Sequence, residues 1–148
     1  YWEFRDSWVL SLNAAQMLEY DITLPAGDKV DALGSFNSDN FARSLPKTKA
    51  NVNLTWSDEA QSATLNMNHV SSYKNGLDKV NSFDTIDVQY AIVFNTDDDT
   101  DTIKASFGIK NLFDEAPPRV IDGANFSYDS KQHSPLGRTL YMSLKFQY

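Results

Sequence analysis

Apolar and polar side chains alternate along most of this chain with a period of two, the spacing that sends successive residues to opposite faces of a β-strand. Six segments carry the pattern. Over 8–22, Trp8, Leu10, Leu12, Ala14, Leu18, Tyr20 and Ile22 share one side, broken only by Gln16. Over 48–57, Ala50, Val52, Leu54 and Trp56 oppose Lys49, Asn51, Asn53 and Thr55. Over 61–73, Ala63, Leu65, Met67 and Tyr73 oppose Ser62, Thr64, Asn66 and Asn68. The segment 83–95 sets Ile86, Val88, Tyr90, Ile92 and Phe94 against Thr85, Asp87 and Gln89, and 102–113 sets Ile103, Ala105, Phe107, Ile109 and Phe113 against Lys104, Ser106 and Lys110. The closing stretch GRTLYMSLKFQY puts Leu140, Met142, Leu144, Phe146 and Tyr148 on one side.

The connections alternate in length. SDEAQ (57–61) and NTDDDTD (95–101) are short turns, whereas 23–47, 74–82 and 114–137 are long links rich in Gly, Asn, Ser, Pro and charge. The expectation is an all-β chain: an antiparallel up-and-down meander of about six strands, short turns at one end and long loops at the other. Residues 1–148 read as one unit, with no internal repeat. Outer-membrane β-barrels have the same asymmetry of turns and loops.

Alternation alone fits a soluble sandwich core, a soluble ligand barrel or a membrane barrel. Aromatic placement favours the last. Trp8, Tyr20, Trp56, Tyr73, Phe94, Phe113, Phe146 and Tyr148 lie towards strand ends, as in the girdles at membrane interfaces, while mid-strand positions are mostly Leu, Ile, Val, Ala and Met. No Lys or Arg falls in the middle of an apolar face, where it would cost about 2–4 kcal/mol in lipid. His69 and Asp84 do interrupt that face, both towards the long-loop end.

Composition changes the picture only by exclusion. The 148 residues carry a net charge of -7 and lack a basic stripe, which argues against a nucleic-acid partner. The absence of cysteine rules out a disulfide framework or a thiol nucleophile. His69 and His133 form no metal-spaced pair, and no catalytic motif or cofactor-binding motif accompanies them, so both are expected to be surface or loop residues and no enzymatic role is expected. Asp97, Asp98, Asp99 and Asp101 lack the spacing of a calcium loop and read as a solvated turn. The sequons NLT (53–55) and NFS (125–127) read as coincidence.

The stretches ASFGIKNLFDEAPP (105–118) and YDSKQHSPLGRTLYMSLKFQY (128–148) resemble the carboxy-terminal end of TonB-dependent outer-membrane receptors. There a strand closes with Asn-Leu-Phe-Asp, matched by Asn111, Leu112, Phe113 and Asp114, and a surface loop leads to a Gly-Arg pair, matched by Gly137 and Arg138. The segments 34–56 and 81–94 are similar to the same family. The resemblance implies part of a transmembrane barrel of about 22 strands with a plugged lumen, in the outer membrane of a Gram-negative bacterium. It implies uptake of a scarce solute: a siderophore-metal chelate, cobalamin or an oligosaccharide. The implied partners are the bilayer, the TonB complex through a plug domain that this sequence lacks, and the barrel-assembly machinery, through a final strand with Phe146 and Tyr148 at the two matching positions. On this expectation Tyr148 ends the parent protein and Tyr1 does not begin it. Asn111 and Asp114 are expected to satisfy turn amides, and Arg138 to meet a carboxylate. Ligand contacts are expected in 23–47 and 114–137, the latter with Pro117, Pro118, Arg119, Tyr128 and His133. The alternatives are a soluble β-sandwich or carbohydrate-binding module and a complete eight-stranded outer-membrane barrel.

Overall fold

A computed structural model describes residues 6–36, 44–95, 102–121 and 127–147 of the chain. Where alternation is unbroken, the chain is extended and paired. The principal strands are β1 (Ser7–Gln16), β4 (Thr48–Ser57), β5 (Gln61–Val70), β8 (Phe83–Asn95), β9 (Thr102–Lys110) and β10 (Thr139–Gln147). They form one antiparallel sheet in the order β1-β4-β5-β8-β9-β10. No helix occurs among the described residues. The sheet does not close on itself: β1 and β10 are its two edges.

Register builds the faces from the alternation. Cross-strand partners share a face, so Leu10, Leu54, Leu65, Val88, Ile109 and Leu140 make one apolar row spanning all six strands. Trp8, Trp56, Ala63, Tyr90, Phe107 and Met142 make the next. A slip of one residue in any pair would turn that strand's apolar set over. The opposite face carries Asn13, Asn51, Asn68 and Thr85 in register, where the Asn51 Nδ2 donates to Asn66 at 2.6 Å and to Asn68 at 2.9 Å.

Tyr141 lies on this polar face above Gly108, its register partner, and donates to the Gln89 Oε1 at 2.8 Å. A methyl group at Gly108 would run into the Tyr141 ring. Glycine there leaves room for an aromatic ring to cover the bare backbone.

Three expected strand ends overrun the pairing. The first strand stops at Gln16 rather than 22: Gln16 faces Thr48, the first residue of β4, and one further bond, from the Met17 amide to the Lys47 carbonyl at 2.9 Å, ends the pairing. Leu18 and Tyr20 therefore leave the face. The third strand stops at Val70; Tyr73 starts a separate hairpin of β6 (Tyr73–Asn75) and β7 (Asp78–Val80) and turns into a buried cluster, not into an aromatic girdle. The fifth stops at Lys110, leaving Phe113 exposed beyond a turn. The link 23–47 is not plain loop either, since β2 (Asp21–Thr23) pairs with β3 (Lys29–Asp31).

The core lies off the sheet. Phe36, Tyr73, Val80 and Val120, drawn from three links, bury one another at the long-loop end. Backbone bonds knit the same region: Phe36 donates to the Lys74 carbonyl at 2.6 Å, Lys74 to Gly34 at 2.8 Å and Gly34 to Leu45 at 2.7 Å. At the other end the Asp58 carboxylate accepts the Ala60 and Gln61 amides at 2.8 and 2.6 Å, closing the β4–β5 turn.

Candidate functional site

The motif residues picked out in the sequence meet at the junction where β9 ends and β10 begins. Lys110 completes the ladder, and Asn111 then turns the chain with φ of 50°, a left-handed conformation that asparagine tolerates better than most residues. Its own amide donates to the Asp87 carboxylate at 2.8 Å. Its side chain is buried and reads both polar groups of Glu115: the Oδ1 accepts the Glu115 amide and the Nδ2 donates to the Glu115 carbonyl, each at 2.9 Å. Leu112 donates its amide to the Ile86 carbonyl at 2.7 Å, extending the ladder by one bond.

Asp114, also left-handed with φ of 58°, reaches across to the far end of the loop. Its Oδ1 accepts the Arg138 amide at 2.7 Å. A Cβ on Gly137 would stand 2.6 Å from that same oxygen, so glycine lets the carboxylate approach. Asn111, Asp114, Gly137 and Arg138 are thus brought together, and their bonds are made to backbone. The Arg138 side chain, expected to meet a carboxylate, has no such partner among the described residues. Phe113 is exposed. Phe146 sits on β10 opposite Ile103, and Tyr148 lies outside the described residues.

A second cluster had no counterpart in the sequence motifs. Asp129 is 1% exposed, and its Oδ2 accepts the hydroxyls of Ser44 and, at 3.0 Å, Tyr73. The Tyr73 oxygen also lies 3.1 Å from the His133 Nε2. The Asp129 carbonyl accepts the amides of Gln132 and His133, and the Gln132 side chain donates to the Ser44 carbonyl at 3.0 Å. Burial, then the Asp129 charge and the hydrogen bond to it, push the Tyr73 phenol far above its ordinary range. His133 is a loop residue as expected but not a surface one, being 3% exposed.

The cluster has acid, base and hydroxyl types without the order that nucleophilic catalysis needs. Ser44 gives its proton to the Asp129 carboxylate rather than to His133, and at 1% exposure its oxygen has no open approach for a carbonyl. Among the described residues no group of three His, Asp or Glu side chains could hold a metal ion.

His69 and Asp84, which interrupt the apolar face, are register partners, with His69 Nδ1 2.6 Å from Asp84 Oδ1. Pro117, Pro118 and Tyr128 are half-buried and Arg119 is exposed; Arg119 and Tyr128 bridge through backbone. Asp97, Asp98, Asp99, Asp101 and Asn125, together with part of the 23–47 link, lie outside the described residues. Compared with known proteins, the chain matches no family model, no curated protein and no solved structure.

Proposed function

We propose that this chain is a wall segment of a transmembrane β-barrel, the carboxy-terminal part of a TonB-dependent receptor that imports a scarce solute across the outer membrane of a Gram-negative bacterium. The observation that carries the reading is the apolar face. Trp8, Leu10, Phe107, Leu140 and Met142 are each more than half exposed, and they belong to two rows that run unbroken from edge to edge. At roughly 200 Å² for a large side chain, the exposed apolar surface on this side is on the order of 1,000 Å². A typical soluble monomer shows a largest patch of about 300–600 Å². Removing that surface from water is worth on the order of 25 kcal/mol at ~25 cal/mol per Å². Lipid covers it without a partner protein.

Three further features fit. The two charge-bearing residues on that face, His69 and Asp84, sit at the long-loop end and bond each other. The other face is polar and carries side-chain hydrogen bonds between strands, as suits a lumen wall. The unpaired edges at β1 and β10 call for more strands, because open edges are not tolerated in hydrocarbon. The motif residues Asn111 to Asp114 with Gly137 and Arg138 then serve as the staple between the last two strands, beneath the outer loops. Transport energy comes from the TonB complex acting on a plug domain, and Phe146 with Tyr148 presents the final strand to the assembly machinery. The solute is a siderophore-metal chelate, cobalamin or an oligosaccharide.

The test is partition. Residues 1–148 produced without detergent are expected to aggregate, and to be recovered with lipid vesicles on flotation. A monomeric, soluble product that melts cooperatively refutes the proposal in favour of a soluble β-sandwich or carbohydrate-binding module.

A further inference from the structure

The polar cluster at the long-loop end joins segments that are distant in sequence: Ser44 before β4, Tyr73 at the start of β6, and 129–133 in the link before β10. We infer that it is an acid-released clasp, which holds these three segments together near neutral pH and lets them part in mild acid. The inference stands on the loop geometry alone and holds whichever medium covers the apolar face.

Proton counting sets the mechanism. A carboxylate only accepts, so the single Tyr73 proton goes to Asp129. The Tyr73 oxygen can then meet His133 only as an acceptor, which requires the proton on Nε2. His133 Nδ1 is left as a bare lone pair, buried and without a partner among the described residues, and Gln132 Oε1, likewise a buried acceptor without a donor among them, has no hydrogen to offer it. Any further proton must land on Nδ1 and place a full charge in a ring that is 3% exposed. The Phe83 ring edge stands 5.1 Å from the imidazole and the Tyr73 ring lies stacked at 6.0 Å, so neither replaces solvent for a cation.

The titratable groups that face the ring are Tyr73 from β6, Asp129 from its own loop and Lys49 from β4. Burial, the largest influence, holds His133 below its ordinary value; Asp129 opposes this and Lys49 adds to it. An opened loop returns the histidine to water, where it takes up a proton near pH 6.5. The closed state therefore keeps its full advantage above about pH 6.5 and loses it as pH falls below that value.

The experiment is hydrogen exchange on the full chain, monomeric in buffer or detergent, expressed as protection factors at pH 7.5 and 5.5. The amides of Gly34, Phe36, Lys74 and His133, which report loop closure, are expected to lose about tenfold in protection. The sheet amides of Leu54 and Met67 are expected to lose none, which separates release from global unfolding. His133→Gln keeps a donor for Tyr73 and removes the titration, so its loop protection is expected to be the same at both values. Constant protection in the wild-type chain, or an equal loss in H133Q, overturns the inference. A third readout needs no variant: a ring titration of His133 by NMR giving a midpoint at or above the ordinary 6.5 overturns it as well.

Discussion

Leu65 offers the sharpest test of what covers the apolar face. It lies mid-strand on β5, near the centre of the sheet, with Leu54 and Val88 on either side in register. Its neighbour Thr64 points to the other face and bonds Thr55 at 3.2 Å. If lipid covers this face as proposed, Leu65→Arg in the parent barrel puts a guanidinium against hydrocarbon and is expected to cost about 2–4 kcal/mol, which is a roughly 30- to 900-fold fall in the folding equilibrium. On the same proposal Thr64→Arg enters a lumen filled with water and forfeits one neutral hydrogen bond, so its cost is expected to stay below about 1.5 kcal/mol. A third substitution separates lipid from a protein core, since arginine is disfavoured in both. Leu65→Phe is expected to be within about 0.5 kcal/mol of wild type against fluid lipid, whereas overpacking a protein core costs ~1–3 kcal/mol. Urea titration of receptor folded in vesicles gives the free energies, and the gel shift between heated and unheated samples counts folded barrel. A cost below about 1 kcal/mol for L65R, or above about 2 kcal/mol for L65F, refutes the lipid-facing assignment and the argument from register that produced it.

The remaining predictions concern closer contacts. Gly108→Ala is expected to displace Tyr141 from Gln89 and destabilise; in a Tyr141→Ala background the same change should cost less, a coupling of about 0.5–3 kcal/mol in a double-mutant cycle. Asn111→Ala strands the Glu115 amide and forces alanine into a left-handed turn, an expected loss of about 1–3 kcal/mol by urea titration; Asn111→Gly relieves the backbone and should recover part of it. Asp84→Asn alters a contact between two partly exposed side chains and is expected to shift stability by less than about 1 kcal/mol, a bound that thermal melts check.

The sheet was legible because alternation, pairing and face are one pattern seen three ways. Leu54, Leu65 and Val88 had to share a side for any antiparallel meander to bury or shield them. Strand ends were less legible for a physical reason: the pattern records which way side chains point, not whether a partner strand is still alongside. Leu18 continues the alternation after β4 has run out. Tyr73 continues it after the chain has turned into the loop core. Turn signals inside the links, Pro25-Ala26-Gly27 and Asn75-Gly76, mark the two small hairpins and could have been read from sequence.

The candidate site divides in the same way. Asn111, Asp114, Gly137 and Arg138 were recognisable as a pair of short motifs, but the bond from Asp114 to the Arg138 amide spans 24 positions and leaves no periodic trace. Ser44, Tyr73, Asp129 and His133 were not recognisable as a group. Each is a lone polar residue in or beside a link, and only tertiary structure gives them a shared environment.

The separation between those links also orders the folding of the chain. Each sheet pairing joins neighbours across one connection, so β4–β5 and β8–β9 close after short loops, while Ser44 meets Asp129 across 85 positions. Loop-closure entropy grows with that distance, and contacts of long range form late. A chain halted before residue 127 has what it needs to zip β1 through β9 and to join Phe36 with Lys74, but it lacks the Asp129 carboxylate that fastens Ser44 to Tyr73. The contacts of Ser44 and Tyr73 with Asp129 and His133 are thus the last to form: the pulse-labelled amide of His133 should become protected after the strand pairings of the sheet.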